Sequence, residues 1–150
     1  EAGQVSIAQE HRASAICERL LATHARQPGG RPRGIAVVAT PAGERHGLPA
    51  LMAAACLRED RWLVHHLAAD LPTSEVIRLA DQVGAGLVVL SSAMNETAQQ
   101  AQRAARVIET ASPHLNVLAG RPGDSLHDLL AAAGLRGRPA RASAIEHGNY

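Results

Sequence analysis

Four apolar runs of strand length, each followed by a stretch patterned for a helix, constrain this chain more than any other feature. Gly34-Ile35-Ala36-Val37-Val38-Ala39-Thr40 is continuously apolar, as expected of a strand buried on both faces. Residues 62–67, 86–91 and 116–119 repeat the theme. Between and after these runs, residues 49–58, 73–83, 96–111 and 124–133 read as helices, with Pro49 tolerated in a first turn and Asp124 placed to cap the last. Repeated strand–helix units imply an α/β fold, a parallel sheet with helices on both faces. Residues 142–145 read as a fifth strand at an edge or simply as tail. Upstream, residues 5–25 carry Val5, Ala8, Ala15, Ile16 and Leu20 near helical spacing, and a Gly/Pro/Arg stretch over 28–33 reads as a linker.

At 150 residues the chain is long enough to bury one core without staples. Its aromatics are only Trp62 and Tyr150, so that core is built from Ala, Val, Leu and Ile. A formal net charge of +1 gives no electrostatic footprint for nucleic acid or an anionic membrane. No apolar run approaches the roughly 20 residues that span a bilayer, and the first residues do not read as a signal peptide. Cys17 and Cys56 lie on apolar helical segments and are expected to be reduced core residues, which fits a cytoplasmic setting.

In a doubly wound sheet, ligands bind beyond the carboxyl ends of the strands. The loop after the first strand, Thr40-Pro41-Ala42-Gly43-Glu44-Arg45-His46-Gly47-Leu48-Pro49, places a carboxylate two residues before an imidazole. A carboxylate that accepts a hydrogen bond from one ring nitrogen sets the tautomer and raises the basicity of the other, which makes a good metal ligand. A solvated loop in which Glu44, Arg45 and His46 do nothing special has the same spacing. Ser91-Ser92-Ala93 offers hydroxyls and a small side chain. Ala119-Gly120-Arg121-Pro122-Gly123 is glycine-rich and leads to a helix N-terminus, which favours anions.

Those three loops, in that order, resemble the signatures of the cobalamin-binding domain family. The match is nearest to the branch in light-responsive MerR-type transcription regulators of the CarH/LitR kind. The carrying segments are Thr40-Pro41-Ala42-Gly43-Glu44-Arg45-His46 and Val88-Val89-Leu90-Ser91. The resemblance implies a flavodoxin-like sheet of order 2-1-3-4-5 and adenosylcobalamin or methylcobalamin as cofactor. His46 becomes the lower axial cobalt ligand. Thr40, Pro41, Gly43, Glu44, Arg45 and Leu48 would border the corrin, and Ser91, Ser92, Ala93, Ala119, Gly120, Arg121 and Gly123 the slot for the displaced dimethylbenzimidazole tail. Residues 1–27 resemble the last helix of a capping bundle, with Glu10, His11 and Ser14 turned to the cofactor and residues 34–150 forming the α/β domain.

The implied role is a sensor rather than an enzyme. Its expected partners are an upstream helical bundle and a DNA-binding output domain, and the exposed bundle helix is expected to promote self-association. The alternatives are a corrinoid carrier for methyl transfer and a degenerate fold that mediates protein contacts. Departures from the family pattern are Pro49 and Ala119 in place of glycines and Ala93 in place of Leu. A phosphoacceptor domain is excluded by Ser91 and Thr40 where acids are needed, a flavodoxin fits poorly with so few aromatics, and no zinc-ligand spacing occurs.

Overall fold

The strand order follows from which apolar run finds which neighbour. The computed structural model describes residues 5–24 and 26–136. Its elements, in chain order, are α1 (Ile7–His24), β1 (Ile35–Ala39), α2 (Leu48–Glu59), β2 (Leu63–His66), α3 (Thr73–Val83), β3 (Leu87–Leu90), α4 (Asn95–Ala111), β4 (Asn116–Ala119) and α5 (Leu126–Arg136). All pairings are parallel, and the order is β2-β1-β3-β4. β1 is central: Ala36 pairs with Val64 on one side and Leu87 on the other. The sheet thus has four strands among the described residues where five were expected; residues 142–145 lie outside them.

Alternation along each strand splits the interior into two layers. Val37, Val88 and Val117 face α3 and α4, where Val76, Ala80, Ala101, Ala105 and Ile108 complete one core. Ala36, Val38, Leu87 and Val89 face α2 and α5, with Ala50, Ala53, Ala54, Leu57 and Ala133. Alanine-faced helices lie close to the sheet, which is how a chain without Phe fills its interior. The one large filler is Trp62, 2% exposed. A Cβ on Gly34, the residue before β1, would come within 2.8 Å of its ring, so any other residue there forces the ring to shift.

Side-chain caps close the first turns of α1 and α5, whereas α2, α3 and α4 start on Gly47, Pro72 and Met94 without one. Ser6 and Gln9 form a reciprocal cap on α1, Gln9 N donating to Ser6 Oγ (3.2 Å) and Ser6 N to Gln9 Oε1 (2.8 Å). α3 ends on Gly84 in the left-handed region, φ 66°. α5 is capped by Ser125 rather than Asp124: Asp128 N donates to Ser125 Oγ at 3.1 Å, and Ser125 Oγ donates to Asp128 Oδ2 at 2.7 Å. Asp124 is taken by the turn before the helix, accepting from Arg121 N at 2.7 Å.

The N-terminal helix docks on the α/β domain. It packs on α2, while Ile7, Ile16 and Leu20 stay more than half exposed. Its follow-on segment is clipped to the sheet edge by Gln27, whose amide accepts from Val64 N (3.0 Å) and donates to Val64 O (2.7 Å). One side chain thereby satisfies both outward backbone groups of Val64 on the edge strand β2. Cys17 is exposed and Cys56 only half-buried, against the expectation of two core thiols. Burial, with the Glu59 carboxylate, pushes the Cys56 thiol up. No described helix is long and apolar enough to cross a membrane.

Because the Trp62 ring leaves no room beside Gly34, Gly34→Ala should destabilise the domain by about 1–3 kcal/mol. Urea unfolding followed by Trp62 fluorescence measures this, and an unchanged midpoint would show that the ring yields freely.

Candidate functional site

β1 ends at Ala39, and its loop is immediately tied down. Thr40, 1% exposed, donates its hydroxyl to Glu44 O at 3.0 Å and accepts from Asp70 N at 2.9 Å. Pro41 bridges to Leu71, and Asp70 Oδ1 accepts from Gly43 N at 2.7 Å. Gly43 holds φ +89°, a conformation that a side chain would strain. The segments after β1 and β2 therefore brace each other, and the brace drives the Glu44 side chain inward.

Glu44 is 1% exposed and meets donors on every side. Oε1 accepts from His46 N at 2.9 Å and lies 2.6 Å from His46 Nδ1. Oε2 accepts from Ala93 N at 2.8 Å and Thr97 Oγ1 at 2.6 Å. Burial raises the carboxyl pKa, but these bonds from Thr97, His46 and Ala93 together outweigh it and take it from 4.5 to about 2. The carboxylate is ionised and acceptor-only, so the imidazole nitrogen facing it must carry the proton. His46 Nε2 is then left with a free lone pair. The ring is 61% exposed, so that lone pair is accessible from solvent. A buried acid thus favours one tautomer of an exposed imidazole, the one that offers Nε2 to a metal.

Beside this loop runs a cleft of about 660 Å³, between the carboxyl ends of β3 and β4 and the helices α2 and α5. Ser91, Ser92, Ala93, Ala119, Gly120, Arg121 and Gly123 all line it, with Pro49, Ala53 and Leu129 opposite. Ser92 Oγ donates to Gly120 O at 2.6 Å and so joins the two loops that form one wall. Gly123, at φ +89°, makes the turn into α5. Ala93 connects cleft and carboxylate, because its side lines the cleft while its N–H holds Glu44.

The structure therefore gathers Thr40, Pro41, Gly43, Glu44 and His46 into one braced loop, with Arg45 exposed between the pair and Leu48 opening α2. It does not bring Glu10, His11 and Ser14 to them. Glu10 and His11 are exposed, Ser14 is half-buried, and none lines the cleft. A helix without bundle neighbours docks on whatever apolar surface is at hand, which here is α2. Sequence reasoning missed Thr97 and Asp70. Thr97 sits in the first turn of α4, and its contact with Glu44 spans 53 residues, so no local pattern reports it. Asp70 had a weak signal, an acid a few residues after the second strand.

Residues 34–135 match the family model described as B12 binding domain. The chain belongs to the B12-binding domain family. The cofactor that this B12-binding domain takes is cobalamin. No curated protein matches the chain. Among solved structures, it is similar to a novel cobalamin-binding protein from Desulfitobacterium hafniense DCB-2, at 17% identity and TM-score 0.48 over 81% of this chain. It is also similar to the monomethylamine corrinoid protein of Methanosarcina barkeri, at 12% identity and TM-score 0.56 over 85% of this chain. The B12-binding domain spans 58% and 63% of those two chains. The second likeness shows the shared fold.

The residues present fit the cofactor. His46 Nε2 is a soft enough, exposed nitrogen donor for cobalt, and the cleft walls are small side chains and backbone that admit a flat aromatic base. Because the Glu44 pKa is depressed, its contribution to stability is present above the ordinary value of 4.5 and is lost as pH falls through about 2. We expect the unfolding free energy of the parent to drop by up to about 3 kcal/mol across that window. In Glu44→Gln this component should vanish, and stability at neutral pH should be lower, because the amide turns an NH2 toward N–H or O–H donors. Urea midpoints measured from pH 7 to pH 2 decide the matter; identical profiles for parent and variant would refute it.

Proposed function

We propose that the chain binds cobalamin with His46 Nε2 as the lower axial ligand of cobalt and the cofactor's own base displaced into the cleft. The single observation that carries this reading is the Glu44–His46 contact of 2.6 Å, made by a carboxylate with no acceptor among its neighbours. The cleft beside it supplies a place for the displaced base. When bound, cobalamin supplies a cobalt whose upper position exchanges its ligand. Glu44 keeps His46 protonated on Nδ1 and aimed outward, Thr97 and the Ala93 N–H keep Glu44 in place, and Ser92 holds the slot walls together.

The domain acts as a sensor and not an enzyme. Ser92, the buried hydroxyl of the cleft, is committed to Gly120 O and is not paired with a base. The exposed Ile7, Ile16 and Leu20 of α1 leave an apolar surface for further helices of a cap, as the resemblance to MerR-type regulators implies. An output domain that binds DNA would read the loaded state. The second reading is a corrinoid carrier for methyl transfer, favoured by the fold shared with the Methanosarcina barkeri monomethylamine corrinoid protein. A carrier needs a methyltransferase that docks on the loaded domain, whereas a sensor changes its own association on loading.

The ligand assignment is tested by electron paramagnetic resonance of bound cob(II)alamin. With protein carrying nitrogen-15 only in histidine, the axial-nitrogen splitting should change from a triplet to a doublet. His46→Ala should abolish that change and weaken retention. A triplet that persists in the labelled parent would mean that the cofactor keeps its own base.

A further inference from the structure

Among the charged residues that line the cleft, Arg121, Asp124 and Asp128, only one is a cation. The two carboxylates are occupied by their own turn: Asp124 accepts from Arg121 N, and Asp128 accepts from Ser125 Oγ. The Arg121 guanidinium, by contrast, has no carboxylate partner among the described residues. It is held by a neutral group on a different element. With its amide assigned so that the oxygen faces Arg121, the one orientation that satisfies both groups, Gln102 of α4 accepts from Nη2 at 3.2 Å and from Nε at 3.1 Å. A neutral clamp orients a cation without cancelling its charge. Arg121 is exposed, so it stands at the lip of the cleft rather than in its depth.

The cobalamin tail carries one formal charge, the phosphodiester between the corrin side chain and the ribose. A base lodged among Ala53, Ser92, Ala93 and Gly120 leaves that phosphodiester to be met nearer the cleft mouth. We propose that Arg121, positioned by Gln102, binds the phosphodiester and makes the domain select corrinoids with a phosphorylated tail over those that lack it. This rests on the cobalamin reading above and adds a specificity residue to it. The guanidinium offers its remaining N–H donors to phosphate oxygens, an arrangement that favours Arg over the point charge of Lys.

Three ligands isolate the phosphate: adenosylcobinamide, adenosylcobinamide phosphate and adenosylcobalamin. Their dissociation constants are measured by calorimetry with the whole chain, the Arg121→Gln and Arg121→Lys variants, and Gln102→Ala. In the parent, adding the phosphate to cobinamide should tighten binding roughly five- to tenfold, and about 0.5 M salt should shrink the step. The step should disappear in Arg121→Gln, survive in part in Arg121→Lys, and diminish in Gln102→Ala, with cobinamide affinity unchanged throughout. Arg121 is exposed and rests on one neutral side chain, so circular dichroism should show all variants folded. A phosphate step of equal size in parent and Arg121→Gln would overturn the inference and leave cobalamin binding intact. Absence of binding by the parent to all three ligands would overturn both.

Discussion

A carboxylate buried beneath an exposed imidazole organises the loops around it. Glu44 collects donors from its own loop, from the start of the next-but-one loop at Ala93, and from α4 at Thr97. Removing a carboxylate from water is unfavourable unless its lone pairs are satisfied, and here each oxygen meets two donors. That requirement is why the β1 and β3 loops close on each other. The same bonds fix the tautomer of His46, so the feature that stabilises the loop also turns Nε2 of that imidazole outward with its lone pair.

Strand order makes the arrangement geometrically available. With β1 between β2 and β3, the chain leaves β1 toward α2 on one face and leaves β3 toward α4 on the other. Loops departing to opposite faces open a crevice at the carboxyl edge. Asp70, following β2, braces Gly43 from the outer side, while Ala93 and Thr97 hold Glu44 from the inner side. The His46 loop is thus gripped between its two neighbours in the sheet. A different order would separate one of these anchors from it.

Much of this was legible along the sequence, and the part that was not shares a cause. The apolar runs fell on β1 to β4 within a residue or two, most cleanly on β1 and β3, because strands buried on both faces tolerate few polar residues. The Glu44-Arg45-His46 loop and the small-residue loops at Ser91 and Ala119 stand out locally, since their chemistry depends on neighbours in sequence. Thr97, Asp70 and Gln102 do not stand out, because each matters through a partner 19 to 53 residues away. The capping of α5 was misread for a subtler reason. Asp124 and Ser125 are both good caps, and the turn at Arg121 claims the first and leaves the second. The position of α1 was illegible because its stripe records surface to be buried but not what buries it.

The composition that strips this chain of aromatics also explains why it has a cleft at all. Between α2 and α5 the facing residues are Pro49, Ala53, Leu129 and Ala132, above Val89 and the serine and glycine loops. Elsewhere small side chains let helices settle on the sheet until contact is dense, as Ala101, Ala104 and Ala105 do on the opposite face. On this face the Gly120–Gly123 turn leads into α5, its geometry set by Asp124 closing on Arg121 and by the positive φ of Gly123. Alanines that cannot reach across then leave open volume instead of a packed seam. Larger apolar residues would fill that seam and raise stability, at the loss of a binding slot. The cleft is therefore a packing deficit beside that turn. A flat ligand that enters it regains the contacts its walls forgo, which couples binding there to the rigidity of the same loops that hold Glu44.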